Sequence, residues 1–256
     1  MIPILTKYYK RHSGDDKKKT LKIFPDDIFL VSYPKSGNTW VRFLIANLLK
    51  NDDELIDFHS AIKFVPEIGT HTDVIANLDR PRIIKSHELY NDKYPKVVYI
   101  VRDPRDVYVS YYHYLKKKLL EGMTFAQFLR KDDLYPSRWH EHVKSWIDKP
   151  NLQLVKYEDL LVDTYGELSK ILSFIDRDDF DEKQIKKAIA ASTFEQMKKI
   201  ESEKGRPFKT KADAMRATQF LRKGIKGDWI NYFNEDDLKL IEKEAKNFIV
   251  RLGYRI

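Results

Sequence analysis

Residues 30 to 40 read Leu-Val-Ser-Tyr-Pro-Lys-Ser-Gly-Asn-Thr-Trp, so an apolar strand runs into a short donor-rich turn and at once into a helix. A turn of this kind aims backbone N–H groups, hydroxyls and one ammonium at a single point, and the helix start behind it adds partial positive charge. That combination suits an anion such as phosphate. The loop of nucleoside triphosphate enzymes ends Gly-Lys-Ser/Thr. Here the lysine comes before the glycine, in Lys35-Ser36-Gly37-Asn38-Thr39-Trp40, so the turn is a relative of that loop and not a copy.

The surrounding pattern predicts parallel βαβ units. Ile28 to Ser32 is a short buried strand, and Thr39 to Leu49 carries Trp40, Val41, Leu44, Ile45 and Leu48 at helical spacing. Arg82 to Lys85 and Lys96 to Val101 are further strands, the second rich in β-branched and aromatic residues. Asp103-Pro104 supplies a cap and a first-position proline for a helix from Arg105 to about Lys118. Helices are expected over Thr124 to Leu129, Ser137 to Ile147, Thr164 to Ile175 and Asp181 to Ala191, with a strand at Leu152 to Lys156. Lys198 to Lys211 is charged, without clear apolar period, and reads as a mobile loop. The last helix starts at about Glu235 and places Leu238, Ile241, Ala245, Phe248 and Leu252 on one face. The expected fold class is α/β, a single domain with a central mostly parallel sheet flanked by helices and a P-loop-like turn at its site. Residues 1–25, with the run Lys17 to Lys19, read as an N-terminal arm, and 26–256 as the domain.

Ligands of open parallel sheets bind beyond the carboxyl ends of strands. Three such ends here are cationic: Lys35-Ser36, Lys85-Ser86-His87 and Arg102-Asp103-Pro104-Arg105. Together they suit a ligand with several phosphate-like charges beside a group that can take a proton near neutral pH. The excess of basic over acidic residues, 47 against 39, agrees with an anionic partner without choosing one. A P-loop kinase or NTPase fits the strand-loop-helix order, but lacks its Gly-Lys-Ser/Thr and an evident magnesium-holding set. A nucleic-acid-binding module fits the net charge, but no recognition helix or aromatic RNA signature is present. The chain has no cysteine, which removes disulfides, thiolate metal sites and thiol catalysis. His140-Glu141-His142 is no metal pair, because residues two apart on a helix do not share a face. The N-terminus lacks signal-peptide order and no apolar run is long enough to span a bilayer, so the expected compartment is the cytoplasm.

Five ordered segments make the comparison specific. Tyr33 to Trp40 resembles the 5′-phosphosulfate loop of the cytosolic sulfotransferases, which use 3′-phosphoadenosine 5′-phosphosulfate (PAPS). Lys85-Ser86-His87 is similar to that family's Lys-Thr-His segment, and Tyr99 to Val107 with Ser110-Tyr111-Tyr112 to its 3′-phosphate strand and helix. Tyr157-Glu158-Asp159 and Arg222-Lys223-Gly224 with Gly227-Asp228-Trp229 complete the set. The resemblance implies transfer of a sulfonyl group to a small hydroxyl or amine acceptor, with His87 as general base, Lys35 at the leaving phosphate and Lys85 at the sulfonyl group. It implies that Ser36, Gly37, Asn38 and Thr39 hold the 5′-phosphate. Arg102, Ser110, Arg222, Lys223 and Gly224 would hold the 3′-phosphate. Trp40 and Phe194 would sandwich adenine, with Tyr157 and Ser192 near it. No metal and no nucleic acid are implied. Asn38 replaces a common threonine, and Glu88-Leu89 replaces a common Leu-Pro, which makes the acceptor wall more acidic. The short dimer motif is absent after Trp229, so the usual dimer is not implied. The acceptor loops are expected within 59–80, 111–123 and 205–220, with Phe64, His113, Tyr114, Phe125 and Phe208 as apolar candidates.

Overall fold

The computed structural model describes residues 21–50, 54–207 and 219–256. Four strands, β1 (Ile28–Ser32), β2 (Ile83–Ser86), β3 (Lys96–Val101) and β4 (Leu152–Lys156), form one sheet in the order β2-β1-β3-β4. Every pairing is parallel, with Val31 opposite both Ser86 and Tyr99. β1 lies between two neighbours and is buried along its whole length. A strand covered on both faces needs apolar side chains in both directions, which is why Ile-Phe-Leu-Val does not alternate with polar residues.

The period of two splits those strands into two cores. Phe29, Val31, Tyr33, Val97, Tyr99 and Val101 face one layer, with Val107, Tyr108 and Tyr111 of α4 (Pro104–Leu119), Trp139 and Trp146 of α6 (Trp139–Trp146), and Ile241 and Ala245 of α11 (Glu235–Arg251). Ile28, Leu30, Val98 and Ile100 face the other, with Val41 and Leu44 of α1 (Asn38–Leu49), Leu168 and Ile171 of α8 (Thr164–Phe174), and Ile185 of α9 (Glu182–Ala191). Between these lie α2 (Ala61–Phe64), α3 (Thr72–Ala76), α5 (Phe125–Leu129) and α7 (Tyr157–Val162). The Asp103-Pro104 start read in the sequence is present, and the structure adds further caps. Asp103 accepts from the Arg105 N–H at 2.9 Å with Pro104 in the first turn, and Thr124, Asp181 and Asn234 close capping boxes.

Several elements differ from the sequence expectation: α2, α3 and α7 are helices where none was expected. The stretch from Lys198 is not a loop: α10 (Phe194–Lys204) runs through it, capped by Thr193. Its apolar face is only Phe194, Met197 and Ile200, and the remaining turns are charged, so the period is short. Met197 and Ile200 are buried against Phe43, Phe58 and Ala61, and Glu201 accepts from the Phe220 and Leu221 N–H groups at 2.6 and 3.0 Å. Tertiary packing supplies what the local pattern lacks. In α11, Ile249 joins Ile241 and Ala245 in the buried seam while Leu238 and Phe248 are half-buried. Residues 1–20 of the expected arm, Phe208 and positions 208–211 lie outside the described residues, whereas Leu21 and Ile23 already pack on the core. Among the described residues no helix is long and apolar enough to cross a membrane.

A buried ion pair fastens the entry to β1. Arg82 donates from Nε and Nη2 to the Asp27 carboxylate at 2.8 and 2.5 Å, and also to the Ile75 and Lys22 carbonyls. Both side chains are almost wholly inaccessible, at 2% and 0%. Removing one partner leaves the other as an uncompensated buried charge, at a cost of about 3–5 kcal/mol. Asp27→Ala should lower the unfolding free energy read from urea denaturation by that amount, and a value equal to wild type would contradict this role.

Candidate active site

The turn after β1 is built on two left-handed residues, Lys35 at φ 71° and Gly37 at φ 105°. Alternation of this kind turns successive N–H groups toward one side and forms an anion-binding concavity. Gly37 is required twice. Its φ favours glycine, and a Cβ there would stand 2.6 Å from Cδ2 of Tyr157, the first residue of α7. Trp40 meets the same tyrosine edge-on, with centroids 5.8 Å apart. Ser36 is fully buried, and its Oγ has no hydrogen-bond partner among the described residues. Asn38 is turned the other way, donating from Nδ2 to the Leu30 carbonyl at 3.1 Å and to Ser32 Oγ at 3.2 Å, so its amide braces the turn against β1. Thr39 follows in the first turn of α1.

The three cationic strand ends meet here. His87, just past β2, donates from Nδ1 to the Ser32 carbonyl at 2.6 Å, since a carbonyl can only accept. That fixes the lone pair on Nε2. Burial, and then the Lys85 charge, lower the His87 pKa to about 3, so the ring is neutral at pH 7. Lys85 pairs with Glu67 at 3.0 Å. Burial pulls the Lys85 pKa down and Glu67 pulls it back up. Burial likewise pushes Glu67 up, but Lys85 and His87 outweigh it and hold that carboxyl at about 2. Lys35 rests over two rings, its Nζ 3.2 Å from the Phe220 centroid and 4.7 Å from that of Tyr114.

Arg102, past β3, donates to the Ile225 carbonyl at 2.8 Å and to the Lys35 carbonyl at 3.4 Å, and lies 4.3 Å over the Tyr157 ring. It thereby joins the β1 turn to the C-terminal loop. Asp106 completes the junction by accepting from the Gly227 and Trp229 N–H groups at 2.6 and 3.0 Å. Burial raises the Asp106 pKa against the pull of Arg102. In the same loop, Asp228 takes Arg222 at 2.5 Å and Lys223 at 2.6 Å, and those contacts overcome burial to hold it at about 2. Gly224 adopts φ 68°, and a Cβ there would meet the Phe194 ring at 2.4 Å. Ser192, two residues before Phe194, is fully buried and accepts from Asn47 at 3.1 Å. Ser110 is half-buried on α4.

Lys35, Gly37, Trp40, Arg102, Tyr157 and the 222–229 loop therefore share one crevice, with Lys85 and His87 at its β2 side. Of the apolar candidates, Tyr114 stands beside Lys35, whereas His113 and Phe125 group around Tyr232. Phe64 packs between α1 and α10. His142 donates or accepts at Tyr99 at 2.9 Å, while His140 faces Glu244 at 3.8 Å, so the two histidines diverge. Sequence reading missed Glu67, Arg42, Asp106 and Asp228. Asp106 and Asp228 sit inside the motifs but act on partners distant in sequence or on their own loop, and Glu67 lies in a segment with no motif at all.

The crevice has unmet donors. Ser36 Oγ, Arg102 Nε and Arg222 Nε are all buried without a partner among the described residues. Donors left unpaired in this way suit an oxyanion-rich ligand, and the two glycines let the Tyr157 and Phe194 rings pack directly on the turn and the loop.

Comparison with known proteins agrees. The sulfotransferase domain family matches residues 25–247. Mouse sulfotransferase 2B1 is 33% identical over 250 residues, covering 91% of this chain and 74% of its own. Rat sulfotransferase 1E1 is 29% identical over 258 residues, covering 92% and 85%. Among solved structures, mouse sulfotransferase SULT7A1 complexed with PAP superposes at TM-score 0.71 with 25% identity, covering 93% and 88%. Retinol dehydratase in a complex with retinol and PAP shares the fold at TM-score 0.68 and 23% identity, covering 98% and 88%. The chain belongs to the sulfotransferase family and is an enzyme of sulfonyl transfer.

Proposed function

We propose that the chain uses PAPS as sulfonyl donor to a hydroxyl or amine of a small acceptor, with His87 as general base. The observation that carries this reading is the clamped tautomer of His87, whose Nδ1–H is tied to Ser32 at 2.6 Å and whose Nε2 is left as the acceptor of a proton, two residues from Lys85. Bound PAPS supplies an activated sulfonyl group and a stable leaving phosphate. Ser36, Gly37, Asn38 and Thr39 hold the 5′-phosphate, and Lys35 leaves its aromatic seat on Phe220 for that charge. Arg102, Ser110, Arg222, Lys223 and Gly224 hold the 3′-phosphate. Trp40, Phe194, Tyr157 and Ser192 hold adenine. The donors at Ser36, Arg102 and Arg222 that lack partners support these assignments.

Transfer of this type needs in-line positioning and neutralisation of charge on the leaving oxygen, which is work for lysines. Lys85 neutralises charge on the sulfonyl oxygens. A neutral imidazole with a pKa of about 3 is a weak base, but an anion held beside Lys85 favours imidazolium and raises its basicity. The transferase domain on this reading is 26–256, following an arm of 1–25, and a cytoplasmic location suits a cysteine-free chain.

With labelled PAPS and a panel of phenols, alcohols and amines, the wild-type chain should label at least one acceptor. Calorimetry should show binding of PAP and neither ATP nor an oligonucleotide in its place; preference for ATP would overturn the reading. His87→Ala should lose about 10²–10⁴-fold in turnover and keep its PAP affinity. Turnover at the wild-type level would remove His87 from the chemistry.

His87 also ties stability to pH. Its folded pKa is about 3, as is that of His142, against roughly 6.5 when unfolded, so the unfolded chain binds more protons between those values. Stability is then full above the unfolded pKa and declines as pH falls toward 3. Melting temperatures should drop on acidification from neutral pH, and His87→Asn should drop less steeply; parallel slopes would contradict the buried neutral histidine.

A further inference from the structure

Glu67 pairs with Lys85 at the β2 side of the crevice, and no motif contains it. It follows α2 in a segment laid along β2: the Lys85 N–H donates to the Pro66 carbonyl at 2.8 Å, and the Ile68 N–H to the Lys85 carbonyl at 2.9 Å. The Glu67 N–H is itself held by His71 Nδ1 at 3.0 Å. Main chain thus sets residues 67 and 85 side by side, and their side chains close the pair with Oε2 3.0 Å from Nζ. Little of either is open to solvent, 12% for Lys85 and 29% for Glu67.

The surroundings work against a charged lysine. Arg42, from α1, donates from Nε to the Val65 carbonyl at 2.9 Å, and its positive charge acts on both Glu67 and Lys85. His87 adjoins from the end of β2, and Tyr114 faces Lys85 from α4. Burial and Arg42 both favour the neutral amine, while Glu67 is the carboxylate that opposes them. An amine without charge does nothing for negative sulfonyl oxygens.

We propose that Glu67 is a positioning residue for transfer, its carboxylate fixing the Lys85 ammonium in the crevice and keeping it charged. The inference rests on the function proposed above. It differs from a purely structural role, in which Glu67 only secures its loop, and from a lock, in which Glu67 withholds Lys85 from the ligand.

The test uses Glu67→Gln, which keeps shape and removes charge, with Glu67→Asp as the conservative variant. In protein carrying ¹³C at the lysine ε-carbons, the Lys85 resonance is assigned by its loss in Lys85→Met and titrated without any ligand. Its midpoint should fall by about one pH unit or more in Glu67→Gln, the scale of an opposite charge at this range, and recover in part in Glu67→Asp. The dispersion of the other lysine signals reports whether each variant is folded. In labelled-PAPS turnover, the alkaline limb of kcat should move down in pH by the same amount, with PAP affinity unchanged. An unmoved Lys85 titration with turnover lowered equally at every pH would overturn the proposal in favour of a structural role. Faster turnover in Glu67→Gln would overturn it in favour of a lock. A wild-type chain that transfers nothing from PAPS would instead sink the proposed function, while the Lys85 titration separately decides the pairing.

Discussion

Arg102 is the contact on which the crevice depends. One guanidinium joins the turn after β1, through the Lys35 carbonyl, to the C-terminal loop, through the Ile225 carbonyl, and lies over the Tyr157 ring that closes the third side. Asp106, one turn along α4, clamps the same loop by two N–H bonds and lies 4.0 Å from Arg102. Segments more than 120 residues apart in sequence are thereby held within one site. The planar fork suits this work, since two carbonyls and a ring can be met at once while Nε is left without a partner among the described residues.

The cations of the crevice arrive with acidic companions. Lys85 has Glu67, Arg102 has Asp106, and Arg222 with Lys223 share Asp228. Such pairing offsets the cost of burying charge and fixes each cation before a ligand arrives. Lys35 also sits over Phe220 and Tyr114, whose ring faces attract its ammonium.

Much of this was legible in the sequence because it is local. The apolar run at Ile28 to Ser32, the helical spacing from Thr39 and the Asp103-Pro104 start each fix their own element, and the cationic strand ends follow from where those strands stop. What escaped depends on distant partners. α10 is a helix because Met197 and Ile200 meet Phe43 and Phe58 and Glu201 meets Phe220, none of which its charged sequence announces. Glu67 reaches the site only because main-chain pairing to Lys85 lays its loop along β2. Asn38 shows the reverse case, a residue of the motif whose amide serves the strand beneath it.

These converging cations suit a nucleotide phosphorylated at both 3′ and 5′ positions. Calorimetric comparison of PAP with adenosine 5′-monophosphate tests it most directly, since the two differ only in the 3′-phosphate. PAP should bind about 10²-fold more tightly, the scale of one or two charge-assisted hydrogen bonds, and Arg222→Ala should remove most of that difference while leaving the monophosphate affinity as it was. Equal affinities for the two nucleotides in the wild-type chain would contradict it.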